Sequence, residues 1–158
     1  MTVPITPTIC STVAQPCSPS PLCAETGAGV STDTPKALLN GVLEDVDFDT
    51  IDFETPPSSA DLANDGVVAG VTGSYTIAFT MNFGGTGDVA TATTFVFVTG
   101  AERASFTHNL AATPTTQTES HTFSLVAGDL VQLFVQQDGA LEGVLLNSAT
   151  LSILGCEI

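Results

Sequence analysis

An antiparallel all-β domain made of two packed sheets is predicted by three features of this sequence. In GSYTIAFTMNFGG, residues 73–85, Tyr75, Ile77, Phe79, Met81 and Phe83 are large and apolar, whereas Thr76, Ala78, Thr80 and Asn82 between them are small or polar. That period of two belongs to a strand. Similar short segments recur at spacings of about eight to twelve residues, divided by Gly-Asp or Asp-Gly turns. No stretch carries the period of an amphipathic helix. Several short strands need a second sheet to bury one face each, so a sandwich or jelly roll is expected.

Taken in chain order, residues 1–35 are rich in Pro, Thr and Ser and have no sustained period, and they read as an extended arm. Each Pro fixes its own φ and biases its predecessor toward β or polyproline geometry, so such an arm reaches on the order of 100 Å at ~3.1 Å per residue. It has too little apolar area to fold alone, so it is either a disordered tail or ordered by a docking surface or by covalent staples. The docked reading makes Pro4, Ile5, Pro7, Ile9, Cys10, Cys17 and Cys23 the anchoring candidates. Residues 36–158 form the domain. Within it, Val46 and Phe48, then Ile51 and Phe53, keep strand alternation with a slip near Asp49 and Thr50 that predicts a bulge or turn. Glu44, Asp45, Asp47, Asp49, Asp52 and Glu54 flank them. This run lacks the order of an EF-hand loop and reads as the wet face of a strand rather than a calcium site; no metal and no cofactor are expected.

PPSSADLANDG reads as a loop with a turn at Asn64, Asp65 and Gly66. GGTGD, residues 84–88, reads as a hairpin connection, because no Lys follows and no helix begins. TATTFVFVTG is a strand that is apolar on both faces at Phe95, Val96, Phe97 and Val98. ERASFTHNL follows it, and AATPTTQTE, residues 111–119, reads as a loop. SHTFSLVAGD, LVQLFVQQDG and GVLLNSATLSILG complete at least eight strands after Lys36.

Composition narrows the function. There are 158 residues, 16.1 kDa, and a formal charge of -15 from 17 acids against only Lys36 and Arg103. That balance repels phosphate backbones, so no nucleic-acid partner is expected. Charged residues are 12% of the chain, about half of the roughly 25% usual in soluble domains, so the surface is largely hydroxyl, amide and backbone and suits permanent neighbours. No apolar run approaches the roughly 18 residues of a membrane span, and the first residues show no secretory pattern. Cys10, Cys17, Cys23 and Cys156 lack zinc spacing and read as disulfides, between subunits included, or as free thiols. Cys156 is available to complete the odd trio, from the same chain or a neighbour. His108 and His121 are the only histidines, and no G-x-S-x-G or H-E-x-x-H motif accompanies them, so the chain reads as no enzyme.

Gly73-Ser74-Tyr75-Thr76-Ile77-Ala78-Phe79 resembles the G-x-Y-x-F-x-F strand of the jelly-roll superfamily shared by tumour necrosis factor and the globular heads of the complement recognition subunit. Residues 125–133, LVAGDLVQL, resemble its L-x-x-G-D-x-V-x-L step, and residues 148–153 resemble its closing strand; the likeness runs from about Val42 to Leu154. The resemblance implies a compact homotrimer in which one sheet of each subunit faces the threefold axis. Tyr75, Thr76, Ala78, Thr80 and Phe134 are then the trimer-interface candidates. An extended arm on a small trimeric jelly roll resembles virion decoration proteins and head fibres of tailed phages. That likeness implies a capsid cement or head-fibre protein made in the host cytoplasm and displayed on the capsid exterior, with a capsid or other virion protein as partner of the arm. The alternative is a host-receptor or glycan-binding adhesin tip that uses loops such as residues 111–119.

Overall fold

The computed structural model describes residues 25–84, 90–110, 114–139 and 144–157. Twelve strands lie among them: β1 (Glu25–Thr32), β2 (Lys36–Leu38), β3 (Leu43–Asp45), β4 (Thr50–Thr55), β5 (Ser59–Asp61), β6 (Gly66–Val68), β7 (Gly73–Phe83), β8 (Ala90–Val98), β9 (Ala101–Leu110), β10 (Thr115–Leu125), β11 (Leu130–Asp138) and β12 (Val144–Glu157). All their pairings are antiparallel. Sheet I has the order β10-β7-β12-β1-β4, with β2 also on β12; sheet II has the order β5-β6-β11-β8-β9, with β3 also on β11. This is the expected two-sheet jelly roll. One turn of 3-10 helix, Leu62–Asn64, interrupts the strands, and no helix among the described residues is long and apolar enough to cross a membrane.

The core lies between the sheets and follows from alternation. β7 sends Tyr75, Ile77, Phe79, Met81 and Phe83 inward, and all five are buried. β12 adds Ala149, Leu151 and Ile153, while β11 and β8 answer with Val131, Leu133, Val135, Val96 and Val98. One glycine lets this core close: Gly155 lies against the Tyr75 ring opposite it in the register, where an added Cβ would meet that ring. On the outer face, Gly29 lies under the Phe53 ring, where an added Cβ would come within 2.5 Å of it. Tyr75 is tied down at its tip as well, since its hydroxyl donates to the Val71 carbonyl at 3.0 Å and accepts from the Val71 amide at 3.2 Å.

Three expectations need correction. Residues 25–32, read as part of the arm, are β1, which pairs β12 on one side and β4 on the other. Its inward residues Thr26, Ala28, Val30 and Thr32 are small, and Gly27, Gly29 and Ser31 face outward, so the alternation has almost no contrast in size. Residues 115–119, read as loop, belong to β10, where Gln117 is buried and accepts a hydrogen bond from Thr94 at 2.9 Å. A polar residue at an inward position hid that strand. The slip at Asp49 and Thr50 is a break in which residues 46–49 leave the ladder, and a bulge follows where β4 meets β1 between Gly29 and Val30. The turn at Asn64, Asp65 and Gly66 is present, with Asp65 in the left-handed region at φ 51. Most of the connection at residues 84–88 lies outside the described residues.

Gly155→Ala drives a methyl into the buried Tyr75 ring, an overpacking change of the kind that costs about 1–3 kcal/mol. A urea titration of the variant should therefore show a lower unfolding midpoint than the wild type, with an unchanged slope.

Candidate association face

The large residues of β7 point into the core, which leaves its outer side to the small ones. Across β10, β7 and β12 the register aligns Thr122, Thr76 and Leu154; Ser120, Ala78 and Ser152; Thr118, Thr80 and Thr150; and Thr116, Asn82 and Ser148. None of these side chains is charged. On β1 the same rows continue as Gly27, Gly29 and Ser31, and Phe53 of β4 covers the two glycines. Charge begins only at the margin, with Glu25 at the start of β1 and Asp52 of β4, which accepts from Ser31 at 2.6 Å.

Several polar side chains of this face are paired within it. Thr80 and Thr118 hydroxyls lie 3.2 Å apart, Asn82 donates to Ser148 at 2.7 Å, and Thr116 donates to Asn82 at 2.7 Å. Groups that already hold partners lose less when water leaves, so the face can be dehydrated at smaller cost than a bare polar surface. Leu154 is 56% exposed and Phe53 36%, an apolar strip at one end of the face. Five strands at ~4.8 Å spacing and rows running ~30 Å along β7 span about 700 Å², close to the ~800 Å² that each partner contributes to a specific interface.

Thr76, Ala78 and Thr80 thus share one outer face as expected. Tyr75 does not join them, because its side chain is wholly buried in the core. Phe134 lies on the outer face of sheet II, opposite Phe95 and tilted against Phe97 with ring centroids 4.7 Å apart. The five candidates are therefore split between one face, the core and the opposite sheet. Sequence reasoning missed Leu154, Phe53 and the glycines beneath them; the Gly-x-Gly spacing in residues 27–29 was the available signal. Pro4, Ile5, Pro7, Ile9, Cys10, Cys17 and Cys23 lie outside the described residues, while Cys156, on the same face as Leu154, is disulfide-bonded.

Two other clusters gather titratable side chains. Asp45 and Asp47 of the acidic run meet Asp65 from the following loop closely enough to ligate a cation. The cation in that space is Lys36, whose ammonium lies 3.1 Å from Asp45 and 2.9 Å from Asp47. Burial alone would lower the lysine pKa, but hydrogen bonds to Asp47 and Asp45 together outweigh it and hold it above the ordinary value. Desolvation, helped by the charges of Asp47 and Asp45, raises Asp65. Asp49 is lowered by hydrogen bonds from Thr34, Thr50 and Thr32. His121 packs tilted against Phe106, with ring centroids 4.5 Å apart, and lies 3.4 Å from Glu119 on β10.

No protein-family model matches the chain, and no curated protein matches its sequence. Solved structures do. The globular domain of a zebrafish complement 1qA protein is similar over 81% of this chain and 94% of its own, with 14% identity and a TM-score of 0.57. Murine APRIL at pH 5.0 is similar over 83% and 98%, with 12% identity and a TM-score of 0.60; at pH 8.0 the identity is 13% and the TM-score 0.59. At such identities the likeness shows the jelly-roll fold.

Asp65→Asn keeps an acceptor for the Phe48 amide, now at 3.0 Å, and tolerates the left-handed backbone, while removing the carboxylate charge. A carboxyl raised in the folded state carries an unfavourable charge above its folded pKa and loses it as pH falls. Thermal melts should therefore find the variant more stable than wild type at pH 7, and the gap should close as pH falls through the raised folded pKa and be gone below 3.8, the ordinary value.

Proposed function

We propose that this chain is a non-enzymatic structural protein that assembles as a homotrimer through the outer face of sheet I and attaches to a virus capsid through its N-terminal segment. The observation that carries the trimer is the uncharged, internally hydrogen-bonded face of β10, β7 and β12 in a chain of formal charge -15. Three chains bring that charge three times over, so a stable assembly requires the acids to lie away from the contact. Glu25 and Asp52 at the margin meet that requirement, and the acidic trio around Lys36 is neutralised in part within its own chain.

The capsid setting is supported by the sequence: a Pro- and Thr-rich segment ahead of a small jelly roll, a surface poor in charge, and a likeness to decoration proteins and head fibres. β1 belongs to the domain, so the attaching segment is residues 1–24, shorter than the 35 residues expected. A chain lacking residues 1–24 should still assemble but should no longer be incorporated into particles, as read by quantifying it on purified virions. Incorporation at the wild-type level would show that attachment does not run through this segment.

Ala78→Arg places a cation at the centre of the face, where burial without a partner is strongly unfavourable. Phe134→Arg, on the opposite sheet, is its control. Light scattering of the full chains should show the first as a monomer and the second as wild type. Loss of assembly in the control alone would move the interface to sheet II. His108→Gln and His121→Gln should leave both assembly and attachment within about an order of magnitude of normal, in keeping with the absence of acid–base chemistry in the proposal.

A further inference from the structure

We propose that residues 1–24 fold back over the margin of the sheet I face, across Leu154 and Phe53, and are stapled there by Cys156. This goes beyond the assembly described above and does not require it. Cys156 is disulfide-bonded, and the only other cysteines of the chain are Cys10, Cys17 and Cys23, all within that segment. The first described residue, Glu25, pairs with Cys156 in the β1–β12 register, so the segment joins the domain beside its own staple. A cysteine so few residues away in the same chain meets Cys156 at a far higher effective concentration than a cysteine of another copy.

A groove of about 240 Å³ opens at this place, walled by Glu25, Thr26, Thr55, Leu154 and Gly155. Its apolar wall, Leu154, is 56% exposed, and Phe53 beside it is 36% exposed. The segment matches the surface in charge: residues 1–24 contain no Asp, Glu, Lys or Arg in a chain of formal charge -15, and they offer Val3, Ile5, Ile9, Val13 and Leu22 as apolar contacts. An uncharged chain can cover an uncharged face without burying an ion. Forming the bond takes two protons and two electrons from two thiols, which an oxidised low-molecular-weight disulfide accepts by exchange.

The test uses the full chain, unreduced. Mass spectrometry of a digest should find the Cys156 peptide joined to a peptide from residues 1–24, and non-reducing electrophoresis should show single chains. Because the segment has no basic residue, its accessibility is read with a protease of broad specificity. Cutting within residues 1–24 should be about tenfold faster in Cys156→Ser and in Leu154→Ser than in wild type. Cys156 found free, or joined to a second chain, overturns the staple. Equal cutting rates in wild type and Leu154→Ser overturn the docking, whether or not the bond is found. Leu154 also edges the association face, so the cutting rates are compared at equal oligomeric state, read by light scattering of each variant; a monomeric wild type would remove the trimer and leave this inference standing.

Discussion

The burial of one side of β7 constrains everything else in this molecule. The strand runs through sheet I with full-length neighbours on both sides, β10 and β12, and its inward row of Tyr75, Ile77, Phe79, Met81 and Phe83 fills the space between the sheets. At about 1.5–3 kcal/mol for each large side chain taken out of water, that row is among the largest favourable contributions in the domain. Alternation then allows no freedom on the other side: whatever is not needed for the core is presented outward, in register with the outward rows of both neighbours. The uncharged face follows from a strand whose second set of residues is Thr, Ala, Thr and Asn beside Ser- and Thr-bearing partners.

The same constraint explains the glycines of this half of the molecule. Gly155 is opposite Tyr75, and its missing side chain gives the ring its place. Gly27 and Gly29 do the converse on the outside, lowering the surface of β1 so that Phe53 and Leu154 lie over it. A flat, close-packed patch results where a sheet would otherwise be ridged by side chains. Flatness, lateral hydrogen bonds and absence of charge are separate properties, and each reduces a different cost of association: side-chain ordering, polar desolvation and ion burial.

Much of this was legible in the sequence, and the exceptions have physical reasons. β7 declared itself because its inward residues are large and its outward ones small. β1 stayed hidden because Thr, Gly, Ala, Gly and Val differ too little in size to show which side is in, and β10 because Gln117 stands where an apolar residue is usual. Phe134 lies on the other sheet from Thr76, Ala78 and Thr80 for a different reason: alternation tells which residues of one strand share a face, but not to which of two sheets that strand belongs. Asp65 meets Asp45 and Asp47 only through the path of the loop after β5, so the trio could not be found in the run of acids alone. The likeness in residues 73–79 and 125–133 carried the fold correctly because those residues are the core strand and the turn that the jelly roll needs.

The central claim is that the uncharged face of sheet I is covered by copies of this chain. Native mass spectrometry of the full-length protein at micromolar concentration measures this most directly. The account expects a species of three times the 16.1 kDa chain mass. A single-chain mass under the same conditions would contradict it.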